Sequence, residues 1–328
     1  MTAQKHFKRL VRARMEEAGL TYSEARAGLL AEQQSVEFNE PLTIDVHGRH
    51  GQVVAFTPDG SRLLSGGQDA RIHLLDPTTG SIIGSLVGHE QVVNDLALTP
   101  DGRRLVSVSS DRSVRLWDVA RQRQEAVLTG HREAVVTVSV APDGATALTS
   151  GYDGRILGWD LSDGSPVSEV KSPLRRVGAL RHTPDGRYVV EAGQGSAVLV
   201  RDTGTSEVVQ ELDSGSAGVV GLAVSPDGRI IATGGYDGTV GLWSTDDFSL
   251  VRRIPTGTTV SALAISRSGQ LLGAAGGGWV SLWSFDSEER VASTQLPIKG
   301  VYGLCFSPDG RRLAQTGADG KVRIWRLR

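Results

Sequence analysis

The chain has 328 residues with 35 basic against 37 acidic side chains and a formal net charge of -2, a balance that removes any bulk electrostatic case for nucleic acid or an acidic membrane surface. A lone cysteine, Cys305, excludes an internal disulfide framework and fits a reducing compartment. No run approaches the roughly 18 apolar residues of a membrane span, and the N-terminus lacks an apolar signal core, so the expected location is cytoplasmic.

Residues 1–35 read as a helical extension. Phe7, Leu10, Val11, Met15 and Ala18 fall at helical spacing, with Gly19 placed as a C-terminal cap. Thr21 and Glu24 then have the spacing of a capping box for a second helix, whose apolar side is Tyr22, Ala25, Leu29 and Leu30. Lys5, Lys8, Arg9, Arg12 and Arg14 crowd positive charge onto the start of the first helix, where the macrodipole favours negative charge. They are the candidate nucleic-acid contacts if the hairpin reads a duplex, although no third helix completes a helix-turn-helix unit.

From about residue 36 the apolar period changes to two. Leu42, Ile44 and Val46 alternate with Thr43 and Asp45 as a strand would. Pro-Asp-Gly then stands at 58, 100, 142, 184, 226 and 308, and Arg267-Ser268-Gly269 fills the one gap, giving steps of 42 or 41 residues and seven copies. Gly88-His89 precedes the turn and Trp117-Asp118 follows it. A period of about 40–45 residues with a Gly-His start and a Trp-Asp end is the signature of a four-stranded propeller blade. Over residues 36–328 the chain resembles the WD-repeat β-propeller family. The resemblance implies an all-β, seven-bladed propeller that acts as a non-enzymatic scaffold for proteins or peptides.

The last repeat supplies only three strands before the chain stops. The missing fourth is expected to be Leu42–Val46, closing the ring from the N-terminal side and removing an exposed strand edge. Because the fourth strand of a blade runs back toward the mouth, the extension should approach it from the opposite face.

Ser, His and an acid within one repeat also suggest a nucleophilic triad. The set is not unique, however: His89, Ser107, Asp111 and Trp117 return as His131, Thr149, Asp153 and Trp159, and as His47, Ser65 and Asp69 with Leu75 in the Trp place. A repeated constellation is a building feature, and the resemblance implies a buried hydrogen-bonded chain at these positions. Blade five keeps Thr233, Asp237 and Trp243, and blade seven Asp319 and Trp325. Blade four holds Glu191, Gly195 and Arg201 instead, and blade six a bare Gly276-Gly277-Gly278 turn, so these two are expected to be the looser blades. No catalytic residue and no cofactor are expected. No metal site is expected either, since His73 and His182 stand alone and no Cys or His cluster has ligand spacing.

The residues before each Asp turn and just after each Gly-His place should meet at the mouth of the ring. Arg132, Tyr152, Arg176 and Tyr236, on consecutive blades, are the expected protein-binding patch, with Trp279, His50 and Leu174 beside it. Trp279 is expected to be exposed because Arg71, Ser113, Arg155, Thr239 and Lys321 hold its place elsewhere. The alternative function is regulation through nucleic acid bound by the basic N-terminal helices.

Overall fold

A computed structural model describes residues 38–327 other than 175, 286 and 288, together with residue 21. The expected helical hairpin over 1–35, with Lys5, Lys8, Arg9, Arg12 and Arg14, lies outside the described residues. The rest is a ring of seven four-stranded antiparallel sheets. In blade two the strands are Val93–Leu98, Arg104–Ser109, Ser113–Asp118 and Arg123–Thr129, counted outward from the axis. The first strands of neighbouring blades pack against one another all the way round, including Gly51–Phe56 of blade one against Val301–Phe306 of blade seven. They enclose a central channel of about 550 Å³.

Local chemistry explains each blade. The Pro-Asp-Gly turn places its glycine at positive φ, 69° at Gly102, a conformation that costs glycine nothing. Gly269 of the variant Arg-Ser-Gly turn has φ 72°, so the substitution preserves the turn. A hydroxyl two residues before the Asp seals it: Thr99 Oγ1 donates to Asp101 Oδ1 at 2.6 Å and accepts the Arg104 N–H at 3.1 Å. In blade one the Thr57 hydroxyl, with the backbone and hydroxyl of Ser61, holds the Asp59 carboxyl down at about 2.

Register slips recur at fixed places, between Val93 and Asp95 on the first strand and between Leu116 and Trp117 on the third in blade two, with counterparts in the other blades. Each slip is a bulge that increases local twist. Blade six, one residue short, closes its turn over fewer residues, with the Gly278 N–H donating to the Gly276 carbonyl at 2.6 Å. Only a glycine fits at 278, whose φ is 85° and where a Cβ would lie 2.4 Å from the Ile298 carbonyl oxygen.

The cores lie between blades. Val106, Val108, Val114 and Leu116 of blade two interleave with Val135, Val138, Leu157 and Trp159 of blade three. Ring closure is as expected from the sequence. Leu42–Asp45 pairs antiparallel with Lys321–Arg326, Leu42 opposite Ile324 and Ile44 opposite Val322. Leu42 and Ile44 pack on the cluster of Val54, Phe56, Leu63 and Leu75 from blade one with Ala314, Val322 and Ile324 from blade seven. Just before this strand Phe38 sets its ring edge-on to Trp325, with centroids 5.3 Å apart, and Asn39 donates to the Arg326 carbonyl. These contacts are at the end of the third strand that faces away from the mouth.

Candidate functional site

The repeated polar set forms the expected buried chain in three blades. In blade two His89 Nδ1 lies 2.8 Å from Asp111 and Nε2 2.7 Å from Ser107 Oγ, and Trp117 Nε1 donates to the same hydroxyl at 2.8 Å. Blade three repeats this with His131, Asp153, Thr149 and Trp159. Each chain ties the approach loop, the turn and two strands together. The Gly before the His leaves room for the third-strand side chains: a Cβ at Gly88 would meet Arg115 at 2.7 Å and Trp117 at 3.0 Å, and one at Gly130 would meet Leu157 at 3.0 Å and Trp159 at 3.3 Å. Blade one has Leu75 instead of Trp, and there the Gly becomes Val46.

Electrostatics match a structural role. Burial would raise the Asp111 carboxyl, but hydrogen bonds from His89, Ser113 and the Glu90 backbone outweigh it and hold it well below the carboxylate range. Burial lowers His131 in spite of the attraction of Asp153. The neutral His131 imidazole, donating Nδ1–H to Asp153 and accepting from the Thr149 hydroxyl, has both ring nitrogens satisfied.

The other blades depart from the pattern. In blade five Trp243 donates to Thr233 at 3.0 Å, but the Asp237 side chain is exposed and its carboxylate bonds within its own turn, to Thr239, while its backbone N–H donates to Ser216 of the approach segment at 3.4 Å. Its expected place in the chain is corrected, because without a His at position 215 nothing bridges it to Thr233. In blade seven Asp319 pairs with Arg323 at 2.6 Å, Trp325 is buried, and the Gln315 side-chain amide is buried without a partner. Blade four replaces the Ser–Trp pair with a buried ion pair at the same ten-residue spacing: Arg201 Nε donates to Glu191, which also accepts the Ser172 hydroxyl at 2.7 Å. Blade four is therefore not empty of polar bracing.

The channel holds a polar cluster that the sequence reading did not find. Asp95 accepts from the Thr137 hydroxyl at 3.0 Å and the Val138 N–H at 3.1 Å, with Arg181 Nη1 3.5 Å away. Thr137 in turn accepts the Leu180 N–H, and Ser139 accepts the His182 N–H while facing the ring Nδ1 of His182 at 2.9 Å. Side chains of one blade thus cap the open strand edge of the next. Burial lowers His182 to about 4, which keeps its ring neutral beside Ser139.

At the mouth the residues before the turns lie beside the approach segments. In six blades the residue before the turn donates its N–H to the approach segment: Gln68 to His50, Ser110 to Val92, Tyr152 to Ala134, Gln194 to Arg176, Tyr236 to Gly218 and Ala318 to Gly300. Tyr152 and Tyr236 are 45% and 62% exposed, and Arg132, Arg176 and His50 are exposed too. The Arg176 guanidinium lies 4.9 Å above the Tyr152 ring. His50 approaches Tyr302, an aromatic missed from sequence, with centroids 5.9 Å apart. The place of Tyr302 in the other blades is held by Gln52, Asn94, Val136, Gly178, Val220 and Ser261, so an aromatic there stands out from the sequence.

Two expected mouth residues are corrected. Leu174 is only 8% exposed and packs with Ile156, Val177, Leu180 and Leu199, filling space in a blade whose His place is Pro173. Trp279 is only 7% exposed. Next to three glycines its indole folds back over Gly276, donates to Thr258 Oγ1 at 2.6 Å and meets Trp283 edge-on.

Among the described residues no helix is long and apolar enough to cross a membrane. The family described as WD domain, G-beta repeat matches residues 43–76, 80–118, 122–160, 206–244 and 294–326. The two gaps fall on blades four and six, where the polar pattern is lost but the four strands are kept. Over 82 residues, 24% of the chain, it is 32% identical to Periodic tryptophan protein 2 homolog of Mus musculus and 27% identical to Periodic tryptophan protein 2 of Saccharomyces cerevisiae. These alignments span 9% of the length of each relative. With five matched repeats inside a closed seven-bladed ring, the chain belongs to the WD-repeat β-propeller family.

Proposed function

We propose that the protein is a non-enzymatic, cytoplasmic platform that holds a protein or peptide partner on the mouth of the ring, through Arg132, Tyr152, Arg176 and Tyr236. The observation that carries this reading is the exposed stack of Arg176 on Tyr152. Such a guanidinium is pre-oriented and keeps its edge donors free for a carboxylate, while tyrosine supplies amphipathic contact area at low entropic cost. Tyr236 lies one blade beyond, its ring against Gly218, where a Cβ would come within 2.8 Å. Tyr236 is thus held up by the absence of a side chain beneath it. The chemistry suits an acidic segment carrying an apolar or aromatic anchor. A catalytic role is disfavoured because the Ser, His and Asp residues recur from blade to blade and are bonded to one another.

The double variant Tyr152→Ala, Arg176→Ala should melt with the wild type, since both side chains are exposed, yet capture from a host lysate should lose at least one partner that the wild type retains. If the folded double variant keeps every partner of the wild type, the mouth is not the docking surface.

A further inference from the structure

Blade one departs from its sisters in two residues that act on the same atoms. At the place held by Arg115 in blade two and Leu157 in blade three it has His73, and in the Trp place it has Leu75. His73 is buried, and its Nε2 lies 2.8 Å from Asp69 Oδ2, while His47 Nδ1 lies 2.8 Å from Asp69 Oδ1. The two imidazoles thus face one carboxylate from either side, with ring centroids 5.2 Å apart. All three donor groups offer an atom within 4.8 Å of the others. Tetrahedral zinc bonds of about 2.0–2.2 Å separate ligand atoms by roughly 3.4 Å, a spacing that lies between the 2.8 Å of the two His–Asp pairs and the 4.8 Å limit of the group.

The far nitrogens are also prepared. His47 Nε2 faces Ser65 Oγ at 2.7 Å and His73 Nδ1 faces Ser85 Oγ at 2.9 Å. A metal on the near nitrogens requires the proton of each neutral ring to sit on the far one, where a hydroxyl can accept it, the arrangement that orients histidine ligands. In blades two and three the equivalent hydroxyl already accepts an indole N–H. Leu75 removes that donor in blade one and leaves the Ser65 oxygen free to accept from His47.

We propose that His47 Nδ1, Asp69 and His73 Nε2 form a site for a divalent transition metal, zinc by its ligand set, with a fourth position open at the mouth. Two imidazoles and one carboxylate select zinc over magnesium, which prefers all-oxygen sites. The His47 and His73 side chains are 0% and 10% exposed and that of Asp69 is 24% exposed, and the neighbouring Gln68 is exposed on the mouth, so the open position lies on the Asp69 side, toward solvent or a donor from a bound partner.

The test is calorimetric titration of the tag-free full chain with zinc chloride and, separately, magnesium chloride, with cobalt(II) as a spectroscopic probe. One equivalent of zinc should bind, magnesium should not, and cobalt should give the intense visible bands of four-coordination. His73→Arg installs the residue type of Arg115 and Arg323, and blade seven shows that an arginine there pairs with the turn aspartate, so this variant should fold. It should bind zinc at least tenfold more weakly and lose the cobalt bands. The proposal is overturned if the wild type takes up no zinc, or if His73→Arg binds it as tightly as the wild type.

Discussion

Removing residues 1–46 should abolish most of the stability of the fold, whereas removing only 1–34 should cost far less. The longer deletion takes away the outer strand of blade seven, Leu42–Asp45, and with it the pairing to Lys321–Arg326. About four ladder hydrogen bonds at roughly 0.5–1.5 kcal/mol each, and two half-buried aliphatic side chains at about 1 kcal/mol each, sum to roughly 4–8 kcal/mol. Phe38 and its contact with Trp325 go too. Total stabilities are about 5–15 kcal/mol, so the longer truncation should be largely unfolded or aggregated through the bared edge of Lys321–Arg326. Thermal melts of the two truncations decide the point, and equal melting temperatures would contradict closure by this strand.

The second large effect is expected in blade four. Glu191 is fully buried and Arg201 nearly so, and the Arg201 Nη2 has no partner. Glu191→Ala leaves a guanidinium in the core with its counter-charge gone, which should cost about 3–5 kcal/mol. The double variant Glu191→Thr, Arg201→Trp rebuilds the pairing of Thr149 with Trp159 and removes both charges. Ser172 stands where blade three has Gly130, and blade five combines a serine in that place, Ser214, with the Trp243–Thr233 pair. Exchange of a buried ion pair for well-packed residues is commonly neutral or stabilising. Denaturant melts should therefore place the double variant within about 1 kcal/mol of the wild type or above it. A double variant as unstable as Glu191→Ala would show that the ion pair itself, and not merely its pairing, stabilises the blade.

Much of this architecture was legible because a repeat displays its own rules. Seven turns at fixed steps gave the blade number, and a last repeat with three strands required Leu42–Val46 as the fourth; the strand formed is Leu42–Asp45. The polar chains of His47, His89 and His131 were legible for the same reason. What escaped was compensation. Glu191 and Arg201 look like losses when each is compared with Ser and Trp separately, and only their ten-residue spacing reveals a substitute pair. His73 looked isolated because no other histidine or cysteine stands near it in the chain: Asp69 is four residues away, but His47 is brought in from the approach loop, 22 residues before Asp69. At the mouth, Tyr152, Arg176 and Tyr236 are exposed as expected, since a strand end fixes their direction. Leu174 and Trp279 were misjudged because their local surroundings accept an apolar side chain: Leu174 packs with Ile156, Val177, Leu180 and Leu199, and Trp279 folds over Gly276 onto Thr258.

Docking on the mouth is tested most directly by a photocrosslinking residue placed, in separate proteins, at Tyr236 on the mouth and at Asp185 in a Pro-Asp-Gly turn. The two positions lie at opposite ends of the blades, since their turns join opposite ends of the second strands, and both are exposed. With a partner captured by the wild type, crosslinks should form from position 236 and not from 185. Crosslinks from 185 alone would place the partner on the opposite face and contradict the assignment.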